Sequence, residues 1–211
     1  MSVADSEIKG RLLIASPVLG DPNFHRTVVF MIEHTAAAGA LGVVLNRPSE
    51  QRVSEAVPGW EGLAAAPGVV FSGGPVEGGR VLCLGRSKPG PDRAVEDALE
   101  EPTAGPSDGP SSDTPGGAWT PVLGRIGMVD LSQDPAVVRR RVDLVRLFSG
   151  YAGWGAGQLE GELQEGAWFV LEATEADALT PQPEDLWQQV FRRQPDDLKW
   201  MGFFPDDPQQ N

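Results

Sequence analysis

The chain has 211 residues, of which 40% are hydrophobic, and it carries a formal net charge of −13 at pH 7. This length suffices for one domain with a buried core, while so acidic a chain repels polyphosphates, which argues against non-specific nucleic-acid binding. No apolar run reaches the roughly 18 residues of a membrane-spanning helix, and acidic residues precede the first short apolar stretch, so we expect no signal peptide and a cytoplasmic protein.

Strands are predicted to dominate the first half of the chain. They lie at RLLIAS (11–16), TVVFMIEH (27–34), ALGVVLN (40–46), GVVFSGG (68–74) and RVLCLG (80–85). The second of these segments is apolar at both odd and even positions, which is typical of a strand covered on both faces. Short connections predict that the second and third segments form one β-hairpin, and that the fourth and fifth form another.

Helices are predicted to cluster in the second half. Asp134 and Pro135 provide an N-cap and a first-turn proline for a helix over AVVRRRV (136–142). Further helices are expected over GQLEGELQEG (157–166) and PEDLWQQVFRR (183–193). The strands of this half are expected at VLGRIGMVD (122–130), DLVRLFSG (143–150) and AWFVLEAT (167–174). The strands are concentrated in the first half of the chain and the helices in the second, without regular alternation. This order indicates an α+β fold.

Residues 87–118 differ in composition from the rest of the chain. They are rich in proline, glycine and serine, and they hold seven acidic and two basic residues. Such a segment cannot bury enough apolar surface to offset the entropy lost on ordering. We therefore expect one domain over residues 1–211, with a flexible acidic insertion at 87–118.

The stretch FSGYAGWGAGQLEGEL (148–163) has the order of a phosphate-binding loop, namely a strand, a glycine-rich segment and the start of a helix. Its spacing does not match G-x-G-x-x-G, and no Lys-Ser/Thr pair follows. Glu160 and Glu162 would also repel a bound anion. The glycines are therefore predicted to form a tight backbone corner, with Tyr151 and Trp154 packed against the following helix.

Catalytic and metal-binding patterns are weak. GPSDG (105–109) fits G-x-S-x-G but lies in the insertion, without the strand and helix that a nucleophile elbow needs. Ser72 and Ser149 follow strand residues, and His25 and His34 are the two histidines of the chain, but no motif links a serine to a histidine. Two histidines and one cysteine do not make a zinc site. We predict no catalytic residues, no metal and no cofactor.

Basic residues near predicted strand ends are candidates for binding anions. Arg47, beside Pro48, suits a clamp on a carboxylate or phosphate. The structural alternative is that Asn46 caps the turn and Arg47 pairs with one of the many acids. Three consecutive arginines at 139–141 form the best candidate for a basic patch, and they are interpreted as a solvated helix face.

Three blocks of the sequence together resemble the AlgH/YqgE family of bacterial proteins. They are GRLLIASPVLGDPNFHRTVVFMIEHTAAAGALGVVLNRP (10–48), FSGGPV (71–76) and LFSGYAGWGAGQLEGELQEGAW (147–168). The resemblance implies an α+β fold in which a branched mixed β-sheet encloses a small barrel and is flanked by helices. It brings no established set of catalytic residues. Some members are labelled regulators of exopolysaccharide production or of transcription.

These blocks place ten candidate ligand-binding residues at turns and strand ends. They are Arg26, Asn46, Arg47, Gly73, Gly74, Gly150, Tyr151, Gly153, Trp154 and Gln158. We expect these turns to converge on one groove lined by backbone amides, two aromatic rings and one or two arginines. Such a groove would bind a small anionic ligand or a peptide of a partner protein.

The hypothesis that follows is a non-enzymatic binding or regulatory module. One alternative is a hydrolase of phosphorylated or acyl substrates, in which Ser72 or Ser149 is the nucleophile, or His25 or Glu160 activates a water. Another alternative is a transcriptional regulator. The acidic charge and the lack of a helix-turn-helix pattern weigh against direct DNA binding.

Overall fold

The structure is a computed structural model that describes residues 8–35, 37–89 and 118–204. Its strands are β1 (Arg11–Ala15), β2 (Val28–Thr35), β3 (Gly39–Val44), β4 (Pro48–Arg52), β5 (Val69–Ser72), β6 (Val76–Ser87), β7 (Trp119–Leu123), β8 (Ile126–Val129), β9 (Val142–Trp154) and β10 (Trp168–Glu172). Its α-helices are α1 (Val53–Ala56), α2 (Pro135–Arg141), α3 (Gln158–Gln164), α4 (Glu175–Ala178) and α5 (Leu186–Arg192), and 3-10 helices lie at Glu61–Leu63, Pro183–Asp185 and Asp196–Phe203. Most of the predicted insertion at 87–118 lies outside the described residues.

The α+β fold expected from the sequence is confirmed. One path of strands runs β10-β1-β2-β3-β9-β6-β8-β7, and the sheet curls strongly into a half-barrel with helices around it. The sheet branches at β9, which pairs with β3 near its end and with β6 along most of its length. It also pairs in parallel with β5 at Phe148 and Ser149, which makes the sheet mixed.

One predicted strand pairing and one predicted strand are wrong. Strands β5 and β6 do not form a hairpin, because β9 lies between them and pairs with both. The segment 122–130 is not one strand but the hairpin β7–β8, whose strands pair in antiparallel register on either side of Gly124 and Arg125. The predicted hairpin of β2 and β3 is confirmed. Local patterns indicated the strands, but the order of strands in the sheet depends on contacts distant in sequence.

The glycine-rich segment after Phe148 is also different from the prediction, because β9 continues through it to Trp154. Gly150 adopts φ +72°, and a Cβ atom added there would lie 2.7 Å from the carbonyl oxygen of Gly74 and 2.8 Å from that of Val76. These backbones therefore cross too closely for any side chain at position 150. The glycine at 150 thus allows β9 to continue as a strand against Gly74 and Val76 rather than forming a loop.

Strand β2 is buried on both faces, as its apolar pattern predicts. Phe30 packs in the main core cluster with Trp187 and Phe191 of α5. Met31, on the opposite face, packs in a second cluster with Trp154. Strand β2 is thus packed on both faces, and this packing gives the residues at its two ends a rigid support.

A buried arginine in β9 joins the sheet to the C-terminal part of the chain. Arg146 is 2% exposed, and its guanidinium donates hydrogen bonds to the carbonyl oxygens of Ala66, Ala178 and Thr180. Its guanidinium carbon lies 4.3 Å from the centre of the Phe71 ring. Burial lowers the pKa of Arg146 to about 10, so the side chain stays charged at neutral pH. Nothing in the local sequence pattern indicated this burial.

Candidate functional site

The ten candidate residues do not line one groove in the structure. Arg26, Asn46 and Arg47 line a cavity of about 240 Å³, and we call it the base cavity because it lies where β2 begins and β3 ends. Tyr151 and its neighbours on β9 line a larger cavity of about 530 Å³, and we call it the tip cavity because it lies at the turn between β2 and β3. No residue of the described ranges lines both cavities.

The length of β2 sets the distance between the two cavities. From Val28 to His34 the chain advances six residues, which at about 3.3 Å per residue amounts to roughly 20 Å. A small ligand in one cavity therefore cannot contact the other. The hairpin carries the two groups of residues at its opposite ends.

The base cavity is organised by the side chain of Asn46. Its Oδ1 accepts a hydrogen bond of 2.9 Å from the amide of Val28, and its Nδ2 donates one of 2.8 Å to the carbonyl oxygen of Arg26. Both polar atoms are thus used to hold the turn that enters β2. Asn46 fits the structural alternative, a turn cap, and it positions the neighbouring arginines.

Two guanidinium groups line the base cavity. Arg26 has φ +52°, a conformation rare for a residue with a side chain, and its guanidinium carbon lies 4.6 Å from the ring centre of Trp187. Nη2 of Arg47 donates to the carbonyl oxygens of Pro22 and His25 at 3.2 and 3.1 Å. The lining also includes the carboxylate of Glu184. With His25 neutral, the described residues of the lining carry a formal charge of +1.

The glycines at 73, 74 and 150 allow the connection between β5 and β6 to lie close against β9. The amide of Gly73 donates to the carbonyl oxygen of Ser149, and its own carbonyl accepts from the amide of Val44, both at 2.9 Å. Added Cβ atoms at Gly73 and Gly74 would overlap the backbone of β9. The amide of Gly73 is thus already paired within the sheet, which argues against an anion cradle at this glycine.

Three segments form the tip cavity. They are the end of β2 and start of β3, the end of β9, and Val76 of β6; the lining residues are Glu33, His34, Thr35, Ala38, Gly39, Ala40, Leu41, Val76, Tyr151, Gly153 and Trp154. Gln158 is not among them, although its Oε1 accepts a hydrogen bond from the amide of Gly155 at 3.1 Å. It fixes the turn between β9 and α3.

A histidine–carboxylate pair lies beside the tip cavity. Nε2 of His34 is 2.8 Å from Oε1 of Glu160, and the His34 side chain is only 4% exposed. The hydrogen bond from His34 holds the pKa of Glu160 below its usual value. Nδ1 of His34 is buried and has no hydrogen-bond partner among the described residues. Sequence reasoning missed the pair because its members are 126 residues apart.

The wall of the tip cavity next to α3 is fixed by a shared acceptor. The indole nitrogens of Trp154 and Trp168 both donate to Oε2 of Glu162, at 2.9 and 2.8 Å. Phe24 stacks beside Trp154 with ring centres 6.2 Å apart. Trp154 therefore packs against α3 as predicted, whereas Tyr151 is half-buried and faces the cavity.

The serines considered as nucleophiles have no histidine partner among the described residues. The hydroxyl of Ser149 donates to the carbonyl oxygen of Gly78, and Ser72 is exposed. Within the same residues, no group of three or more histidine, cysteine or acidic side chains is placed to hold a metal ion. No helix of the described ranges is long and apolar enough to cross a membrane.

The arginine run at 139–141 contributes to a third cavity, of about 810 Å³. Arg139, Arg140 and Lys88 line it together with the carboxylate of Asp134. That carboxylate accepts a hydrogen bond from the amide of Ala136, which confirms the predicted N-cap of α2. Arg139 and Arg140 are both exposed, in agreement with a solvated helix face.

Comparisons with known proteins agree with the fold. The family model described as AlgH-like matches residues 12–199. A UPF0301 protein of Streptomyces avermitilis is 44% identical over 206 residues, which cover 98% of this chain and 96% of the relative. A UPF0301 protein of Thermobifida fusca is 42% identical over 205 residues, which cover 97% of this chain and 96% of the relative. The crystal structure of protein DIP2367 from Corynebacterium diphtheriae superposes with a TM-score of 0.79 at 30% identity, covering 96% and 95% of the two chains. The solution structure of the AlgH protein from Pseudomonas aeruginosa superposes with a TM-score of 0.57 at 30% identity, covering 87% of each chain.

Proposed function

The chain belongs to the AlgH-like family, and on this premise we propose that it is a non-enzymatic binding or regulatory module that takes a small anionic group in the base cavity. The anion is a carboxylate or phosphate, either of a small molecule or of a partner peptide. The observation that carries the proposal is the guanidinium group of Arg47, whose Nε and Nη1 have no hydrogen-bond partner among the described residues, in a cavity that Arg26 also lines.

The donors in the base cavity are suited to an anion. Nε and Nη1 of Arg47 have no hydrogen-bond partner among the described residues, so these donors remain for a ligand. A guanidinium presents its donors in a planar fork that matches carboxylate and phosphate oxygens. The backbone at Arg26 is held in a strained conformation by Asn46, and such strain is concentrated at functional sites.

Anion affinity measured by calorimetry tests this proposal. Inorganic phosphate and malonate serve as probes, and Arg47→Gln is expected to weaken their binding at least tenfold, since a charge-assisted bond contributes about 1.5–3 kcal/mol. Glu184→Gln removes the opposing carboxylate and is expected to strengthen binding. Arg80→Gln is the charge-matched control, because Arg80 is exposed and pairs with Glu77 outside the cavity.

Two results would overturn the proposal. One is the absence of saturable binding for both anions. The other is an equal loss of affinity in Arg47→Gln and Arg80→Gln, which would show that the overall charge of the protein matters rather than the cavity.

The hydrolase alternative has one observation in its favour, the pair of His34 and Glu160 at the tip cavity. A carboxylate that orients a histidine is a common part of catalytic sites. The acidic surroundings of this pair repel phosphorylated substrates, however, and no serine hydroxyl is bonded to the histidine among the described residues. Hydrolysis of p-nitrophenyl phosphate or acetate that is abolished by Glu160→Gln would favour the enzyme over the binding module.

The regulator alternative receives little support from the helices. Among the described residues, the longest α-helices contain seven residues. That length is short for an element that reads the major groove of DNA. A steep dependence of DNA affinity on salt would revive this alternative.

A further inference from the structure

The tip cavity has the features of a second, preformed ligand site. Its volume of about 530 Å³ lies within the range of small-molecule sites. Its walls are held by the antiparallel pairing of β3 with β9, in which Ala40 faces Trp154 and Leu41 faces Gly153. An added Cβ atom at Gly39 would overlap the carbonyl group of Trp154, so the two strands approach as closely as they can. The cavity therefore does not need to form on binding.

The charges around the tip cavity favour a cation. Glu33 lines the cavity with an exposed carboxylate, and the carboxylate of Glu160 lies behind His34. Among the described residues that line the cavity, none is a lysine or an arginine. The tip cavity is thus opposite in charge to the base cavity.

The hydrogen bond to Glu160 determines what His34 can offer a ligand. A carboxylate only accepts hydrogen bonds, so Nε2 of His34 carries the proton of this 2.8 Å bond. In the neutral imidazole, Nδ1 is then a hydrogen-bond acceptor. It belongs to a side chain that lines the cavity and has no partner among the described residues, and because the atom is itself buried, a ligand reaches it only when the imidazole ring turns toward the cavity. Buried polar atoms are rarely left in this state, so either a water molecule or a ligand donates a hydrogen bond to Nδ1.

We propose that the tip cavity binds a ligand that carries a protonated amine. The ammonium group donates to Nδ1 of His34, is attracted by the carboxylate of Glu33, and lies against the ring of Tyr151 in a cation–π contact. Such an ammonium group is found in free alkyl amines and in lysine side chains of peptides. This proposal does not depend on the one for the base cavity, because no described residue lines both sites.

Titrations of the ¹⁵N-labelled full-length protein test the proposal. The probes are 1,5-diaminopentane, its neutral analogue 1-pentanol, and N-acetyl-lysine-amide. We expect saturable shifts at residues 39–41 and 151–154 with the diamine, and binding of pentanol weaker by about tenfold or more. A stronger response to the lysine derivative than to the diamine identifies a peptide as the source of the amine, and the reverse identifies a free amine.

Paired variants separate ligand binding from effects on folding. Glu33→Gln and Tyr151→Leu are expected to weaken diamine binding several-fold, whereas Tyr151→Phe retains it because the ring remains. Glu165→Gln is the control, since it removes an equally exposed carboxylate outside the cavity. The proposal is overturned if neither amine gives saturable shifts at the tip, if pentanol binds as well as the diamine, or if Glu33→Gln and Glu165→Gln have equal effects.

Discussion

The close approach of β9 to Gly74 and Val76 at Gly150 makes a quantitative prediction about stability. In Gly150→Ala, the new Cβ atom meets two backbone carbonyl oxygens at 2.7 and 2.8 Å, and the residue keeps φ near +72°. The left-handed conformation costs an alanine about 1–2 kcal/mol, and displacing packed backbone costs about 1–3 kcal/mol more. We expect Gly150→Ala to lower the free energy of unfolding by about 2–5 kcal/mol, and Tm by roughly 10 °C.

Two other glycines separate the contributions to this loss. Gly157 has φ +75° but open space around it, so Gly157→Ala introduces the conformational strain without a steric overlap. We expect it to lower the free energy of unfolding by about 1–2 kcal/mol. Gly161 lies within α3 with no neighbouring atom within 4 Å, and Gly161→Ala is expected to stabilise the protein by about 0.5–1 kcal/mol. Urea unfolding of the three variants measures the series. A loss in Gly150→Ala no larger than that in Gly157→Ala would refute the close approach of the strands.

Further predictions concern the buried polar groups. The carboxyl group of Glu160, followed by NMR, should titrate below its usual range in the native protein, and its pKa should return toward the usual value in His34→Gln. The stability gained from the bond between His34 and Glu160 is therefore present above about pH 4 and is lost as the pH falls through the lowered pKa. Arg146→Met deprives three carbonyl groups, two of them buried, of their donor and should lower the free energy of unfolding by about 2–4 kcal/mol in urea. An unchanged midpoint would contradict the role of Arg146 as a clamp. Burial raises the pKa of the Cys83 thiol, so a thiol reagent should modify it only after unfolding.

Features with a local cause were predictable from the sequence. The double-sided burial of β2 follows from its continuous apolar run, and the N-cap of α2 follows from Asp134 and Pro135. Helix α5 buries the apolar face that its spacing indicates, including Trp187 and Phe191. In each case neighbouring residues provide the whole signal.

The division of the candidate site into two cavities had no local signal. Arg26 and His34 are close in sequence but lie at opposite ends of one strand, and only the extended backbone between them sets their distance. His34 and Glu160 meet because β2 joins β9 through β3 in the sheet. Arg146 appears in the sequence as a polar interruption of a strand, and its carbonyl partners come from two distant loops.

The central claim, that the base cavity binds anions, is tested most directly by titrating the ¹⁵N-labelled protein with inorganic phosphate and mapping the perturbed amides. We predict saturable shifts at residues 24–28 and 46–47, with no response at residues 39–41 and 151–154. Shifts that never saturate, or that map to the arginine run at 139–141 instead of the base cavity, would contradict the claim.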